Sequence, residues 1–305
     1  MNILIEDMKK ILEKNKIEYR YVGKDSCSIN GFCSLNNLKE NCMTWARDIN
    51  NININFLNKI DNILIFVDLD VDFDAQVNVL FVDNPHKAYF KVLQCFFVDA
   101  FINGSETLIS STAVVETNKI GKNIKIGHHT YIGPEVIIGN NVVINHNVTI
   151  DGRVEIGDYS VVESGCVIGA CGFGHYKEDN GVSVCVPHLG GVKIGRYVNI
   201  GANNTISRGC LDDTIICDYV KTDNLCHIAH NVLIKERTML TACVEISGST
   251  TVEEDVWIGP GCSLNNSIKI GNGSFLGIGT VATKDIPSRK VVAGVPARVL
   301  RENIY

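Results

Sequence analysis

The chain of 305 residues is 45% hydrophobic and 20% charged, which is typical of a globular protein large enough for two domains. Its formal net charge of −6 and its pI near 5.8 predict no basic surface, so neither nucleic acid nor an anionic membrane surface is an expected partner. No apolar run approaches the ~18 residues that span a bilayer, and residues 1–7 lack a secretion signal, which together predict a cytoplasmic protein without membrane insertion.

Twelve cysteines are scattered along the chain without a CxxC pair or a mixed cysteine and histidine spacing typical of metal sites. In a chain of this size we expect buried free thiols, because a free cysteine packs as a small apolar side chain. The sequence therefore predicts no metal site and no tightly bound cofactor.

Residues 1–101 combine helix and strand patterns. A helical stripe is formed by Leu4, Ile5, Met8, Ile11 and Leu12, and the apolar runs 63–67 and 79–82 are typical of strands. Asn84-Pro85 is typical of a helix start, and the apolar run 88–101 continues that helix toward the next segment. The pattern predicts a small α/β domain over residues 1–101.

From Val114 to Ile168 an aliphatic residue returns every six positions, and the period resumes between Ile194 and Leu276. This period matches neither an α-helix nor a long strand, but it fits a short strand followed by a tight corner, where a glycine often follows the aliphatic residue. Three such units form a triangular coil with an aliphatic core. The repeat predicts a parallel β-solenoid over residues 102–285, followed by a tail over 286–305.

The repeat is interrupted twice. Residues 171–188 form an insertion that we expect to leave the coil as a loop. The shorter interruption between Ile206 and Ile216 places Arg208, Asp212 and Asp213 where the coil is otherwise apolar or small. Loops on a rigid scaffold often carry binding and catalytic residues, so both interruptions are candidate parts of a site.

A histidine at position 230 follows Asp212 by one coil of eighteen residues. We therefore expect the two residues in successive coils, about 5 Å apart. A neighbouring carboxylate holds a histidine in one tautomer and makes it more basic, which suits a general base near neutral pH. The residues alone leave open whether His230 is such a base or a structural corner residue.

Several segments resemble the UDP-3-O-acylglucosamine N-acyltransferases of lipid A biosynthesis: residues 201–214 (GANNTISRGCLDDT), Asp223-Asn224, residues 228–232 (IAHNV), Gly172-Phe173-Gly174, Asn84-Pro85 and residues 29–45. The resemblance implies a mainly β fold, a left-handed parallel β-helix of the hexapeptide-repeat type behind a small N-terminal α/β domain. It also implies a homotrimer, with His230 as the general base that deprotonates a sugar amine and Asp223 as its support.

The same resemblance places Trp45 on the nucleotide base, although a core tryptophan is the alternative. A second aromatic of the family corresponds to Asn51 here, which leaves uridine and thymidine nucleotides open. Together with the interruptions, the resemblance gives the substrate-binding candidates Trp45, Asn84, Phe173, His175, Arg208 and Asn224.

The C-terminal part departs from that family. A second family histidine corresponds to Ser267, and the helical extension that meets acyl carrier protein is missing. Residues 283–301 are instead similar to the end of hexapeptide acetyltransferases that use acetyl-CoA. This similarity implies a donor groove along the last coils, with Gly259, Gly277, Lys284 and Arg298 as cofactor-binding candidates and the two cations near the CoA phosphates, unless they are solvated tail residues.

These observations predict an N-acyltransferase that moves an acetyl or short acyl group from CoA to the amine of a nucleotide-linked amino-deoxy sugar for a surface polysaccharide. The runner-up is the lipid A enzyme, which uses a hydroxyacyl chain on acyl carrier protein. A non-catalytic solenoid that binds nucleotide sugars and an O-acetyltransferase are further alternatives. His230 and the two intact interruptions argue against the first, and the match to an amine-acylating family argues against the second.

Overall fold

The computed structural model describes residues 2–49, 52–73, 76–98 and 107–304, so the predicted position Asn51 lies outside the described residues. By its internal contacts the chain divides into two compact units, Met1–Gly104 and Ser105–Tyr305. Among the helices described, none combines the length and the apolar character needed to cross a membrane.

The first unit is a small α/β domain. Its strands are β1 (Ile3–Leu4), β2 (Tyr19–Val22), β3 (Ser28–Ile29), β4 (Gly31–Phe32), β5 (Cys42–Trp45), β6 (Leu64–Asp68) and β7 (Asn78–Val82). Its helices are α1 (Ile5–Lys14), α2 (Ile54–Leu57) and α3 (Pro85–Leu93), the last continued by a π-helical segment at Gln94–Val98. The main sheet has the order β2-β7-β6-β5-β4, with β2 antiparallel to β7 and the other neighbours parallel.

Burial explains the apolar runs of this unit. Strand β6 is buried on both faces: Leu64 and Phe66 pack in one core, and Ile65 and Val67 pack in the other. The two apolar runs predicted as strands, 63–67 and 79–82, correspond to β6 and β7. The predicted helix start at Asn84-Pro85 is confirmed as well, because the Asn84 side chain accepts a hydrogen bond from the Lys87 N–H at 2.9 Å.

The second unit is a three-sided parallel β-solenoid. Side 1 consists of Leu108–Ile109, Lys125–Ile126, Val143–Ile144, Val161–Val162, Asn199–Ile200, Lys221–Thr222, Met239–Leu240, Trp257–Ile258, Phe275–Leu276, Lys290–Ala293 and Arg298–Glu302. Side 2 consists of Val114–Val115, Tyr131–Ile132, Thr149–Ile150, Val167–Ala170, Thr205–Ser207, His227–Ile228, Glu245–Ile246, Ser263–Leu264 and Val281–Ala282. Side 3 consists of Ile137–Ile138, Val154–Ile156, Val192–Ile194, Thr214–Ile216, Leu233–Ile234, Thr251–Val252 and Lys269–Ile270.

The six-residue period is the period of this coil. The aliphatic positions from Ile126 to Ile168 and from Ile194 to Leu276 are buried in one continuous core. Val114 is an exception, since Val115 pairs with Ile132 and faces inward while Val114 is exposed. The predicted solenoid is confirmed, with its first coil shifted by one residue.

The corners are built differently from the expectation. Asn, His, Tyr and other non-glycine residues adopt positive φ at the corners, for example Asn141 and Tyr197, each with φ of 57°. Glycines that follow the inward aliphatic residue serve a different purpose: a Cβ on Gly121 would lie 2.5 Å from the Gly139 carbonyl oxygen of the next coil. These glycines permit close stacking of coils, and the turn itself is made beside them.

The inserted segment and the C-terminal segment both contain strands. The insertion at 171–188 leaves the coil, as expected, and forms an antiparallel hairpin from His175–Lys177 and Ser183–Cys185. Within residues 286–305, expected as a separate tail, two segments are strands of the solenoid. Lys290–Ala293 pairs in parallel with Phe275–Leu276 on side 1, and Arg298–Glu302 adds an antiparallel strand at its edge.

Candidate active site

At the corner between sides 2 and 3, His230 borders a cleft of about 420 Å³, called the His230 cleft below. The cleft is lined by Phe173, His227, Ala229, His230, Glu245, Ser247, Gly248, Ser249, Asn266 and Ser267. Most of these side chains are polar. They come from successive coils and from the inserted loop, so the rigid stacking of the coils fixes the shape of the cleft.

An amide holds the His230 ring in one tautomer. The Asn231 Oδ1 accepts a hydrogen bond from the Cys210 N–H at 3.0 Å, while its Nδ2 donates to the Asp212 carbonyl at 3.1 Å, so the orientation of the amide is fixed. That oxygen lies 3.0 Å from His230 Nδ1, which must therefore carry the hydrogen. The lone pair is left on Nε2.

The Nε2 atom faces the next coil. A Cβ placed on Gly248 would lie 2.7 Å from His230 Nε2, so any side chain there would collide with the ring. The Gly248 N–H finds no acceptor among the residues that the structure describes. A basic nitrogen and a free backbone N–H are thus adjacent at the cleft.

Neither carboxylate expected beside His230 contacts it. Asp212 shares the corner, but its side chain is exposed and its backbone carbonyl contacts Asn231. Asp223 lies at the corner between sides 1 and 2, where its carboxylate accepts a hydrogen bond from the Asn224 N–H at 2.7 Å. The contact to His230 Nδ1 that we expected from a carboxylate is made by the Asn231 amide instead.

The carboxylate that organises the second interruption is Asp213. It lies 2.6 Å from Arg153 Nη2 and 3.0 Å from Lys193 Nζ, and it accepts a hydrogen bond from the Gly191 N–H at 2.8 Å. Burial by itself would raise the pKa of Asp213, but the hydrogen bonds from Lys193 and Gly191 and the charges of Arg153 and Lys193 lower it below its ordinary value. Asp213 thus anchors the chain three residues after Cys210, whose Sγ lies 3.8 Å from His230 Nδ1.

The inserted loop brings aromatic side chains to the cleft. Phe173 is 89% exposed, lines the cleft and packs against His175 with ring centroids 4.6 Å apart. His188, at the end of the same loop, is buried, and its ring lies 5.3 Å from that of His230. The proximity of His188 was missed, because nothing in an aperiodic loop indicates where its residues return to the coil.

Two other substrate-binding candidates have structural contacts. The Arg208 guanidinium donates to the carbonyl of Gly169, and the Asn224 side chain accepts a hydrogen bond from the Ala202 N–H at 2.7 Å. Neither lines the His230 cleft. Both residues tie adjacent coils together, since their partners belong to the coil before.

The wall of the cleft includes residues that the sequence analysis did not select. Glu245 follows His227 in the side 2 ladder and accepts a hydrogen bond from Ser247 Oγ at 3.0 Å. The His227 ring contacts Thr205 Oγ1 at 2.7 Å. Outward positions on a strand alternate with the buried ones, so this row could have been found by stepping eighteen residues from His227.

At the C-terminal end of the solenoid, Lys284 and Arg298 line the same cleft of about 330 Å³, called the C-terminal cleft below. The structure thus brings the two predicted CoA-binding cations together. Gly259 and Gly277 do not line it; their N–H groups donate to the Leu276 and Val292 carbonyls, each at 2.8 Å. Their positions are explained by coil stacking.

The first unit carries the remaining candidates. The half-buried Trp45 packs edge-on against His86 at 4.9 Å and Phe90 at 6.2 Å, and both of these rings are exposed. Asn84 caps the helix that presents them. His86 and Phe90 were not selected from the sequence, although their spacing of four residues on a helix places them on one face.

The twelve cysteines are free. The expected burial holds for Cys27, Cys42, Cys166, Cys226 and Cys262, whereas Cys171, Cys185 and Cys243 are exposed. Burial raises the pKa of the Cys166 and Cys226 thiols to about 11 each, so these two are inert.

Comparison with known proteins supports the fold and the resemblance. Residues 119–152 and 135–170 match the family model described as bacterial transferase hexapeptide (six repeats). The structure is similar to that of a UDP-N-acetylglucosamine acyltransferase from Campylobacter jejuni, with a TM-score of 0.58 and 25% identity, over 64% of this chain and 75% of that one. The fold is a left-handed parallel β-helix of the hexapeptide-repeat class, as predicted.

The particular resemblance is to UDP-3-O-acylglucosamine N-acyltransferases. The Bordetella pertussis protein of that name is 41% identical over 145 residues, which are 47% of this chain and 40% of the relative. The Coxiella burnetii protein of the same name is 45% identical over 118 residues, 39% of this chain and 34% of the relative. The matches thus span about two fifths or less of these curated relatives.

Proposed function

We propose that the protein is an N-acyltransferase that acylates the amine of a nucleotide-linked amino sugar at the His230 cleft. The observation that carries the proposal is the fixed tautomer of His230, which leaves the Nε2 lone pair free beside Gly248 on a residue that lines the cleft. The names of the similar proteins support both the reaction type and the class of acceptor.

The reaction follows from this geometry. His230 Nε2 removes a proton from the sugar amine as the nitrogen lone pair attacks the thioester carbonyl. We assign the donor to the developing oxyanion to the Gly248 N–H, which belongs to a cleft residue and has no acceptor among the described residues; such a donor is worth about 3 kcal/mol. The carbon–sulfur bond then breaks, and the proton held by His230 passes to the departing thiolate. The products are the amide and the free thiol.

For the acyl donor we favour acyl-CoA with an acetyl or short acyl chain. Lys284 and Arg298 lie together at the C-terminal cleft, where two cations suit the phosphates of CoA. With acetyl-CoA as the donor, transfer to the amine gives an acetamido sugar. Such a product is an amide sugar of the kind used in surface polysaccharides.

The second candidate is a UDP-3-O-acylglucosamine N-acyltransferase that takes a hydroxyacyl chain from acyl carrier protein. The names of the similar proteins favour this candidate. The two candidates share the base, the acceptor class and the amide product. They differ in the donor, so donor preference decides between them.

The proposal has three further parts. Trp45, with His86 and Phe90 beside it, is our candidate for stacking on the nucleotide base, which is uracil or thymine. We expect a homotrimer, since Met239, Trp257 and Phe275 form an exposed apolar row on side 1. We place the protein in the cytoplasm, where nucleotide sugars and acyl-CoA are made and where its free thiols stay reduced.

The test is a donor and acceptor panel with free-thiol release as the readout. Acetyl-CoA, longer acyl-CoAs and hydroxyacyl carrier protein are combined with UDP- and dTDP-linked amino sugars, in the presence of a metal chelator. His230→Ala is the test variant and His129→Ala, an exposed corner histidine elsewhere on the solenoid, is the matched control.

We expect turnover with short acyl-CoA that falls by at least about 100-fold in His230→Ala, because general base catalysis contributes that much, and that persists in His129→Ala. Turnover with hydroxyacyl carrier protein alone selects the second candidate. Turnover with no combination contradicts acyl transfer and supports a solenoid that binds nucleotide sugars without catalysis.

A further inference from the structure

Behind the proposed base, three potential metal ligands converge. The ligand atoms of His188, Cys210 and His230 all lie within 4.8 Å of one another. The Cys210 Sγ is 3.8 Å from His230 Nδ1. In a tetrahedral zinc site, zinc bonds of about 2.0–2.3 Å place neighbouring nitrogen and sulfur ligands roughly 3.3–3.7 Å apart. The separations between these atoms must shrink by at most about 1.5 Å to hold an ion at that bond length.

His188 supplies an independent observation. Its Nδ1 lies 2.8 Å from the Val186 carbonyl oxygen, which can only accept, so Nδ1 carries the hydrogen and Nε2 has the lone pair. Nε2 is buried and has no hydrogen-bond partner within the described parts of the chain, and the residue as a whole is 5% exposed. Leaving a buried acceptor unpaired is unfavourable, so a ligand at this atom would remove an energetic cost.

The contact between His188 and the Val186 carbonyl is of a kind that orients histidines at metal sites. Histidines that bind metals commonly donate the other ring N–H to a backbone carbonyl, which orients the ring and makes the ligand nitrogen more basic. His188 already has this arrangement, and its ligand atom lies within 4.8 Å of those of Cys210 and His230. The side chain is therefore preorganised to bind a cation.

We propose that these three residues form a Zn²⁺ site, with His188 Nε2, the Cys210 thiolate and His230 Nδ1 as ligands and a fourth position open to water. Two imidazoles and one thiolate are soft ligands that suit Zn²⁺, whereas Mg²⁺ and Ca²⁺ require oxygen ligands. Binding releases the thiol proton of Cys210 to solvent, and the two imidazoles bind in their neutral form.

Occupancy of the site switches the proposed base off; this consequence, unlike the binding itself, rests on the proposed function. Without metal, His230 Nδ1 donates to Asn231 and Nε2 is free to accept a proton. When Zn²⁺ takes the Nδ1 lone pair, the ring proton moves through solvent to Nε2. An imidazole protonated at Nε2 cannot deprotonate the amine, so Zn²⁺ inhibits acyl transfer.

Cobalt is the probe for the binding test. The full-length protein is reduced, freed of metal and titrated with Co²⁺, and the near-ultraviolet thiolate-to-cobalt charge-transfer band and the visible tetrahedral bands are recorded. We expect saturation at one ion per chain and loss of the bands when Zn²⁺ is added. If the wild-type protein shows no charge-transfer band, the proposal is wrong.

Variants assign the ligands. His188→Gln and Cys210→Ser should each weaken Co²⁺ binding by at least about 10-fold, since even the loss of a residue that only orients a metal ligand has that effect. Cys171→Ala and His175→Ala, two exposed residues of the same inserted loop, are the matched controls and should bind as the wild type does. Equal loss in test and control variants contradicts the assignment. Far-ultraviolet circular dichroism verifies that each variant is folded.

The switch is tested separately with the donor and acceptor pair that gives turnover. Zn²⁺ should inhibit the wild type at the concentration at which it displaces Co²⁺, and a chelator should restore the rate. If Zn²⁺ binds without inhibiting, the switch is wrong but the metal site stands. If acyl transfer fails even under chelation, the proposed function is wrong, and the binding result is unaffected.

Discussion

Replacing Asp213 by asparagine removes a negative charge at the second interruption of the solenoid. The carboxylate interacts there with three donors, Arg153, Lys193 and the Gly191 N–H. The Asp213 side chain is 10% exposed, whereas its partners Arg153 and Lys193 are 50% and 49% exposed. Ion pairs with such exposed partners contribute about 0.2–1 kcal/mol each. The hydrogen bond from the buried Gly191 N–H to the charged oxygen contributes about 1.5–3 kcal/mol.

Asparagine can still accept the Gly191 hydrogen bond, although without the charge. We therefore expect Asp213→Asn to lower the free energy of unfolding of the solenoid by about 1–2 kcal/mol. Asp213→Ala also leaves the Gly191 N–H unpaired, so we expect about 3 kcal/mol. Asp179→Asn, in the exposed turn of the inserted hairpin, changes the net charge equally and serves as the control.

The effect should depend on pH in a defined direction. The pKa of Asp213 is lowered in the folded protein, so its stabilisation is complete above the unfolded pKa of about 3.9 and is lost as the pH falls through the folded-state pKa. The difference between wild type and Asp213→Asn should be constant from pH 7 to about 5 and shrink below about pH 4.

Urea unfolding measures this difference. In a Trp45→Phe background, Trp257 is the remaining tryptophan and reports on the solenoid alone. An equal effect of Asp179→Asn, or a difference that persists unchanged below pH 4, refutes the role of the Asp213 charge.

Three further predictions concern binding and assembly. The double substitution Lys284→Glu and Arg298→Glu should raise the KM for acyl-CoA by about 10-fold or more with little change in kcat, whereas Arg301→Glu, on the last strand, should not. Trp45→Ala should raise the KM for the nucleotide sugar about 10-fold in steady-state kinetics, and Trp45→Phe should retain most of the affinity, because stacking needs an aromatic face. Trp257→Asp should convert a trimer to monomers, because Trp257 and Phe275 stack within an exposed apolar row. Size-exclusion chromatography with light scattering measures the mass. If the variant remains a trimer, the interface lies elsewhere.

The sequence predicted the solenoid because its core depends on a strict period. Each inward aliphatic residue occupies the same position in its coil, so one correct assignment fixes the others, as from Ile126 to Ile168. The C-terminal strands were harder to place: the period ends near Leu276, and the last two strands, Lys290–Ala293 and Arg298–Glu302, pair without it.

The partners of His230 could not be predicted from spacing. Asp212 is one coil from His230, yet the interrupted corner turns its side chain outward and presents its carbonyl to Asn231. One residue further, Asp213 points back to Arg153 and Lys193. The direction of a side chain in an irregular corner depends on local dihedral angles, which a count of residues does not contain.

The approach of His188 to His230 has a different cause. It depends on how the inserted hairpin returns to the coil, and the hydrogen bond between Val186 and His188 is made within that return. Cysteine and histidine positions 188, 210 and 230 match no metal-binding spacing, and the cluster is visible only when the coils are stacked.

The central claim is that the His230 cleft transfers an acyl group to an amine. The most direct measurement uses two nucleotide sugars that differ at one carbon, with an amine in one and a hydroxyl in the other, and identifies the products by mass spectrometry in wild type and His230→Ala. We predict an acylated product from the amine sugar alone, formed by the wild type and lost in the variant. Acylation of the hydroxyl sugar at a comparable rate, or an amide product that forms equally in His230→Ala, contradicts the account.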